Sequence, residues 1–442
     1  MIIHSQLFGI FAFMKKMSLR QWTDLVNVWL LCAFAFVLPW SVPRMNVNLT
    51  PFILGFLLLN WLVRVLLVDR KIRIKNRPWM WMMIFLLFYY LLNGVGILYS
   101  RQPGCGDLFQ KLPFVIFPLV LFTAESIENK KIKCRICSSF VLGCLVAILL
   151  TFVHAVLADV PEGQIVFSKF YYGNLAWLQH PSYLSMMYCF ALMLVLKESV
   201  NGSNSQWKLA GLILVSVVFV LNIILLASRA GQLTFLLAIF VYFVYELIFG
   251  QKKWQTSLLL MVMVLVFGCC YQLIPKSMNR VTRTVVAVEG DANKVKQDGR
   301  MQAWKSAYEI GMQNFPLGVG TNDIKDHLQE HYLMMDYQAA IKKHLNAHNQ
   351  YLQDFAAIGI LGLLSLLCCL AYPLIIGVKK RDIVLILFVL ILAVNLFFES
   401  MLLRQVGIMF TVFFTCVLMM DISDKKFDNE NSKHCRGEAS VR

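Results

Sequence analysis

Unbroken apolar runs of about 20 residues recur along almost the whole chain. In hydrocarbon every backbone N–H and C=O must find a partner within the protein, so only α-helices and closed barrels cross a bilayer. A barrel strand alternates apolar and polar residues, and these runs do not alternate. The sequence therefore predicts an all-α polytopic membrane protein. About twelve transmembrane helices are expected, near 24–43, 50–68, 79–98, 112–124, 137–158, 181–197, 208–227, 230–249, 256–275, 350–378, 382–398 and 402–420. Composition agrees: 59% of the 442 residues are hydrophobic and 15% are charged, where a soluble domain carries about 25% charged residues.

The net charge of +16 is distributed in a way that argues against nucleic-acid binding. Basic residues cluster in short loops: Arg70-Lys71-Ile72-Arg73, Lys130-Lys131-Ile132-Lys133, Lys252-Lys253 and Lys379-Lys380-Arg381. No nucleic-acid reading motif accompanies them. Short basic loops face the cytoplasm by the positive-inside rule. One assignment satisfies them all, with both termini cytoplasmic and the loops 44–49, 159–180 and 276–349 outside. The expected divisions are a cytoplasmic N-terminal segment 1–23, helices one to nine over 24–275, an extracytoplasmic loop subdomain 276–349, helices ten to twelve over 350–420, and a cytoplasmic tail 421–442. The apolar run at 7–14 is short and is followed by Lys15-Lys16, so it is not read as a cleavable signal.

The large loop between spans nine and ten is where the chain turns polar. Its charges nearly balance, with ten Lys/Arg against eight Asp/Glu over 276–349, so it reads as a small subdomain and not a polybasic tether. Residues 299–313 predict an amphipathic helix, with Met301, Trp304, Ala307, Tyr308 and Met312 on one face. Phe315-Pro316-Leu317-Gly318-Val319-Gly320 ends it, and a second helical piece is expected over 323–335.

Several polar residues stand where apolar spans meet this outer face. Arg229 lies between the seventh and eighth spans, flanked by apolar runs. An arginine so close to hydrocarbon is a functional candidate by default; the plain alternative is snorkelling to lipid headgroups. His348 stands at the mouth of the tenth span, where an imidazole is suited to proton transfer. The alternative is an interfacial histidine bonded to backbone. Arg300 opens the amphipathic helix, where an anion gains from free N–H groups; by itself the position reads more readily as a solvated surface arginine. Arg404 follows Glu399 by five residues, and an ion pair between the two is the expected reading. His180 begins the sixth span on the same side.

Two patterns suggest metal and are set aside. His327-Leu328-Gln329-Glu330-His331 matches H-x-x-E-H. Zinc still needs a third protein ligand, and Glu399 is predicted at the end of a distant span. Cys134-Arg135-Ile136-Cys137 stands alone, without a second ligand pair. No metal and no cofactor are expected.

Taken in order, these pieces resemble the superfamily of O-antigen ligases and O-antigen polymerases of bacterial envelopes. The matching segments are Ser228-Arg229-Ala230-Gly231, Arg300 with Trp304, Pro316-Leu317-Gly318-Val319-Gly320, and His348-Asn349-Gln350-Tyr351-Leu352-Gln353 running into Ile358-Gly359-Ile360-Leu361-Gly362. The resemblance implies a membrane glycosyltransferase of the bacterial inner membrane. Its donor would be a glycan on undecaprenyl pyrophosphate at the periplasmic face. Its acceptor would be a lipid A–core sugar hydroxyl for a ligase, another lipid-linked repeat unit for a polymerase, or a protein hydroxyl. Transfer would be metal-independent and inverting. Arg229 and Arg300 would bind the diphosphate and His348 would act as base. Arg404, His180, Gly318, Gly320 and Asn349 are the candidates for substrate binding. A polysaccharide transporter or flippase fits the span count equally well, but would favour charges at the membrane midplane and repeat symmetry.

Overall fold

The computed structural model describes residues 17–41, 48–72, 74, 77–123, 130–157, 167–201, 206–250, 253–273, 299–420 and 422. The expected N-terminal segment as far as residue 16, the loop part 274–298 and the tail 421–442 apart from residue 422 lie outside the described residues.

The described residues are all-helical, and a helix stands at each of the twelve expected span positions. These are α1 (Leu19–Val37), α2 (Leu49–Val63, continuing as a π-helical turn Arg64–Asp69), α3 (Arg77–Leu98), α4 (Pro113–Thr123), α5 (Lys130–Leu157), α6 (Pro181–Asn201), α7 (Gln206–Leu225), α8 (Arg229–Phe249) and α9 (Lys253–Leu273). After three helices of the polar subdomain, α10 (Gly299–Gln313), α11 (Ile324–Met334) and α12 (Gln338–Lys343), come α13 (Gln350–Lys380), α14 (Ile383–Phe398) and α15 (Gln405–Met419). Among the described residues seven helices are long and apolar enough to cross a membrane: Leu49–Asp69, Arg77–Leu98, Gly106–Thr123, Lys130–Leu157, Gln206–Leu225, Arg229–Phe249 and Gln350–Lys380. Ile383–Phe398 and Gln405–Met419 are shorter apolar helices. In α15 every residue from Gly407 to Met419 is buried, so this helix is an internal post of the bundle, apolar all round. Phe410, Phe413 and Phe414 pack against Phe34, Phe117, Phe140, Phe190 and Phe388 from five other helices.

Helix starts follow local sequence. Ser18 and Gln21 form a capping box at α1, Ser228 caps α8, Asn349 caps α13 and Asp382 caps α14. The basic helix ends converge at one end of the bundle. Lys133 Nζ lies 3.4 Å from Asp382 and donates to the Leu418 carbonyl at 2.9 Å, the Arg381 guanidinium sits 4.7 Å above Phe249, and Trp79 donates to the Met419 carbonyl at 2.7 Å. At the opposite end Asn48 joins Ser41 to Gln405, and the polar subdomain sits there against the ends of α3 and α13.

That subdomain is anchored, not tethered. Asp323 accepts the backbone N–H groups of Arg101 and Gln102 at 2.6 and 2.8 Å, and Thr321 donates to the Asn93 carbonyl at 2.8 Å. Its core of Ala303, Ala307, Ile310, Ile324, Leu328 and Tyr332 is continuous with Ala356, Ala357 and Ile358 of α13. The face of α10 differs from the one predicted. Ala303, Ala307 and Ile310 face the core, whereas Met301, Tyr308 and Met312 are exposed. Small residues let α10 approach α13 closely: a Cβ on Gly311 would lie 2.4 Å from the Phe355 ring.

Helix α13 is broken inside the expected span, at Ile358 and Gly359. The break frees backbone groups that a membrane interior would not tolerate unpaired. The Pro316-Leu317-Gly318-Val319-Gly320 segment satisfies them: Val319 and Gly320 N–H donate to the carbonyls of Ala356 and Ala357 at 2.9 and 2.8 Å, and Ile360 N–H donates to Pro316 O at 3.0 Å. Gly359 has φ +69°, and a Cβ there would lie 1.9 Å from the Pro316 oxygen. Gly359→Ala therefore brings both a strained backbone and a backbone clash, and should cost about 2–4 kcal/mol. The check is the thermal unfolding midpoint in detergent; an unchanged midpoint would contradict the backbone docking.

Candidate functional site

Glu399 follows the last residue of α14 and is its C-cap, in extended backbone, with its N–H returned to the Asn395 carbonyl. A carboxylate at a helix C-terminus meets the negative end of the dipole, and this one is 6% exposed. Such a group requires cations or hydrogen-bond donors. It has both. Arg300, from the first turn of α10, places Nη2 2.8 Å from Glu399 Oε1. His348, two residues before α13, places Nδ1 3.0 Å from Glu399 Oε2. Ser182, in the first turn of α6, donates to Oε1 at 3.2 Å.

Burial alone would push the Glu399 carboxyl up. The His348 hydrogen bond and the charges of Arg300, His348 and His180 outweigh burial and hold its pKa below the ordinary carboxylate range. Glu399 is thus an anion at neutral pH. The sign follows: the pairing stabilises the fold above the ordinary carboxylate pKa and is lost as pH falls through the lowered one.

The backbone of His348 is fixed from three sides. Its φ is +47°, in the left-handed region that non-glycine residues rarely occupy. Its N–H donates to Asn346 Oδ1 at 3.0 Å, and its carbonyl accepts the Trp304 indole N–H at 3.2 Å. The Trp304 ring packs edge-on against Phe397 at 5.0 Å. A carboxylate facing Nδ1 selects the tautomer with the proton on that nitrogen, which leaves Nε2 with a lone pair. Among the described residues Nε2 makes no hydrogen bond. The side chains of His348 and Arg300 remain partly open to solvent while Glu399 lies beneath them.

The other candidates fall in different places. Arg229 is exposed at the start of α8, next to Ser228, whose hydroxyl accepts the Gly231 N–H at 3.2 Å and donates to Ser182 Oγ at 3.3 Å. A chain from Ser228 through Ser182 thus ties the start of α8 to Glu399. His180 lies at the rim with part of its surface open to solvent; partial desolvation of the ring lowers its imidazole pKa, Glu399 opposes the shift, and His348, Arg300 and Arg404 reinforce it. Its Nδ1 accepts the Ser182 N–H at 3.4 Å. Asn349 is buried: its side chain caps α13 by accepting the Leu352 N–H at 3.1 Å, and its N–H donates to Ser400 Oγ at 3.2 Å. Gly318 and Gly320 lie against the break in α13, about two helical turns from Asn349.

The expected Arg404–Glu399 ion pair does not form. Both Glu399 oxygens are taken by Arg300 and His348, and a 3-10 turn, Met401–Leu403, separates Arg404 from the cluster. Glu399 and Ser182 were not singled out as site residues from the sequence. An acid between two strongly apolar helices was a readable signal, but its partners are 99 and 51 residues away in the chain. In the H-x-x-E-H segment, His331 is engaged on both ring nitrogens, 3.1 Å from Ser306 Oγ and 3.0 Å from Glu309, and His327 lies 3.8 Å from Glu330.

The arrangement joins a buried anion, an oriented imidazole and a guanidinium at one end of a helical bundle. It suits proton abstraction beside an anionic ligand. A sequence model of the family described as O-antigen ligase matches residues 214–367. The match runs from the middle of α7 past the break in α13 and includes Arg229, Arg300, Gly318, Gly320, His348 and Asn349; His180, Glu399 and Arg404 lie outside it. No curated protein matches the chain. Residues 214–367 thus carry an O-antigen ligase domain, set within a bundle of helices long and apolar enough to cross a membrane.

Proposed function

We propose that the protein is an O-antigen ligase-type glycosyltransferase, moving a glycan from undecaprenyl pyrophosphate to a lipid A–core sugar hydroxyl at the periplasmic face of the inner membrane. The observation that carries the reading is Glu399 holding Arg300 and His348 together, 2.8 and 3.0 Å away, at the subdomain end of the bundle. The basic helix ends lie at the other end, which the positive-inside rule assigns to the cytoplasm. The site then faces the periplasm, with residues 299–349 in the loop subdomain.

Transfer breaks the bond between the anomeric carbon and the diphosphate, and builds negative charge on the leaving diphosphate. Arg229 and Arg300 meet that charge with guanidinium hydrogen bonds. The acceptor hydroxyl gives its proton to His348 Nε2 as its oxygen bonds to the anomeric carbon, with inversion. Glu399 holds the tautomer and stabilises the imidazolium that results, a positioning role. Asn349 fixes the turn that carries His348, and Gly318 and Gly320 fix the break in α13 below it. Arg404 and His180 add cationic or hydrogen-bonding contacts at the rim. No metal is invoked in these steps.

Deleting the gene and resolving the surface polysaccharide on a gel tests the reading. Lipid A–core without polymer, alongside accumulated full-length lipid-linked polymer, is expected. Core carrying a single repeat unit would make the protein a polymerase, and an unchanged profile would overturn both. Arg229→Ala, and Arg300→Lys, which keeps a cation beside Glu399, should each lower transfer about 10²-fold or more while the protein still inserts in the membrane at normal abundance. Transfer within a few-fold of wild type would remove the diphosphate role.

A further inference from the structure

The outward face of α10 is apolar, and nothing in the site uses it. Met301, Tyr308 and Met312 recur at intervals of seven and four residues and are 49%, 51% and 51% exposed; Phe315 and Leu317 extend the stripe at 59% each. At 100° per residue the three helical positions fall within about 40° of one another. The core face, Ala303, Ala307 and Ile310, lies roughly opposite them and is reached on one side past Trp304 and Gly311. On the other side it is polar, with Lys305 and Glu309 paired at 3.7 Å. The helix therefore has three strips: one packed on protein, one apolar and exposed, one charged.

Both ends of the apolar strip run onto the outer flanks of membrane helices. Tyr99 Oη donates to the Leu317 carbonyl at 2.7 Å, which joins the strip to the end of α3, where Leu91, Val95 and Leu98 are exposed. Leu361 and Leu364 are exposed on α13 just beyond its break. At the other end Trp304, one turn from Met301 and Tyr308, packs on Phe397 of α14, itself exposed. Exposed apolar area on that scale is not left in water, and here it continues the surface that meets lipid.

We infer that α10 is an interfacial helix, with Met301, Tyr308, Met312, Phe315 and Leu317 bedded in the phospholipid layer and Lys305 turned to water. The occupant of the strip is the bilayer itself. Its geometry is that of an amphipathic helix lying in the membrane plane, but attached along its third strip to the bundle. The inference is independent of the glycosyl-transfer reading.

The test places the photo-crosslinking residue p-benzoylphenylalanine at Tyr308, Met312 or Leu317 of the full chain. The protein is reconstituted in vesicles of phosphatidylethanolamine and phosphatidylglycerol with no polyprenyl lipid. A control carries the same probe at Lys325, whose Nζ lies 3.6 Å from Asp107 on the polar side of the subdomain. Phospholipid adducts are expected at all three strip positions, at least about five-fold above the Lys325 yield. Equal yields at Lys325, adducts to another part of the chain, or adducts that appear only when polyprenyl phosphate is added would each overturn the inference. The last result would assign the strip to the carrier's tail.

Discussion

One carboxylate organises the subdomain end of the bundle. Glu399 sits at the wrong pole of the α14 dipole and is nearly inaccessible to water, so its charge depends on Arg300, His348 and Ser182. Those three arrive from α10, from the turn before α13, and from α6. Satisfying the carboxylate therefore fixes the relative positions of four elements. Removing one partner of a buried pair typically costs about 3–5 kcal/mol, enough to make the cluster a structural keystone as well as a candidate site. The same bond that satisfies the anion sets the imidazole's tautomer, so stability and proposed chemistry share one contact.

The second constraint is the break in α13. A helix interrupted at Ile358–Gly359 has carbonyls and an N–H to satisfy, and the turn after α10 supplies the partners. This pins the end of α10 to α13 while Glu399 pins its start at Arg300. The proposed interfacial strip adds a third restraint, and it would set the depth at which Arg300 meets an anion at headgroup level. Polar packing above, backbone docking in the middle and lipid at the side thus act on one short helix.

The helical architecture was legible in the sequence because hydrocarbon imposes it: a run of apolar residues long enough to cross leaves little choice of backbone. Helix α10 was legible to its ends, since Gly299 and Phe315-Pro316 bracket it. Its orientation was not. Periodicity groups Met301, Tyr308 and Met312 on one face but cannot say whether that face meets protein or lipid, and alanines, which mark the close contact, carry little hydropathy signal. Arg300 and His348 were named from position and motif, and the structure brings them to one carboxylate. Sequence proximity misassigned that carboxylate to Arg404, because pairing over 51 and 99 residues is decided by tertiary packing. The glycines at 318 and 320 were grouped with the site through their motif; their visible role is backbone approach to α13.

The proposed role of Glu399 is exerted through His348. A double-mutant cycle on the rate of glycan transfer from a purified polyprenyl-diphosphate donor, using Glu399→Gln, His348→Ala and the pair, measures that dependence. Glu399→Gln should slow transfer by about 10²-fold or more in the otherwise wild-type protein but add almost nothing once His348 is alanine. Additive losses would contradict it, since the carboxylate would then act without the imidazole.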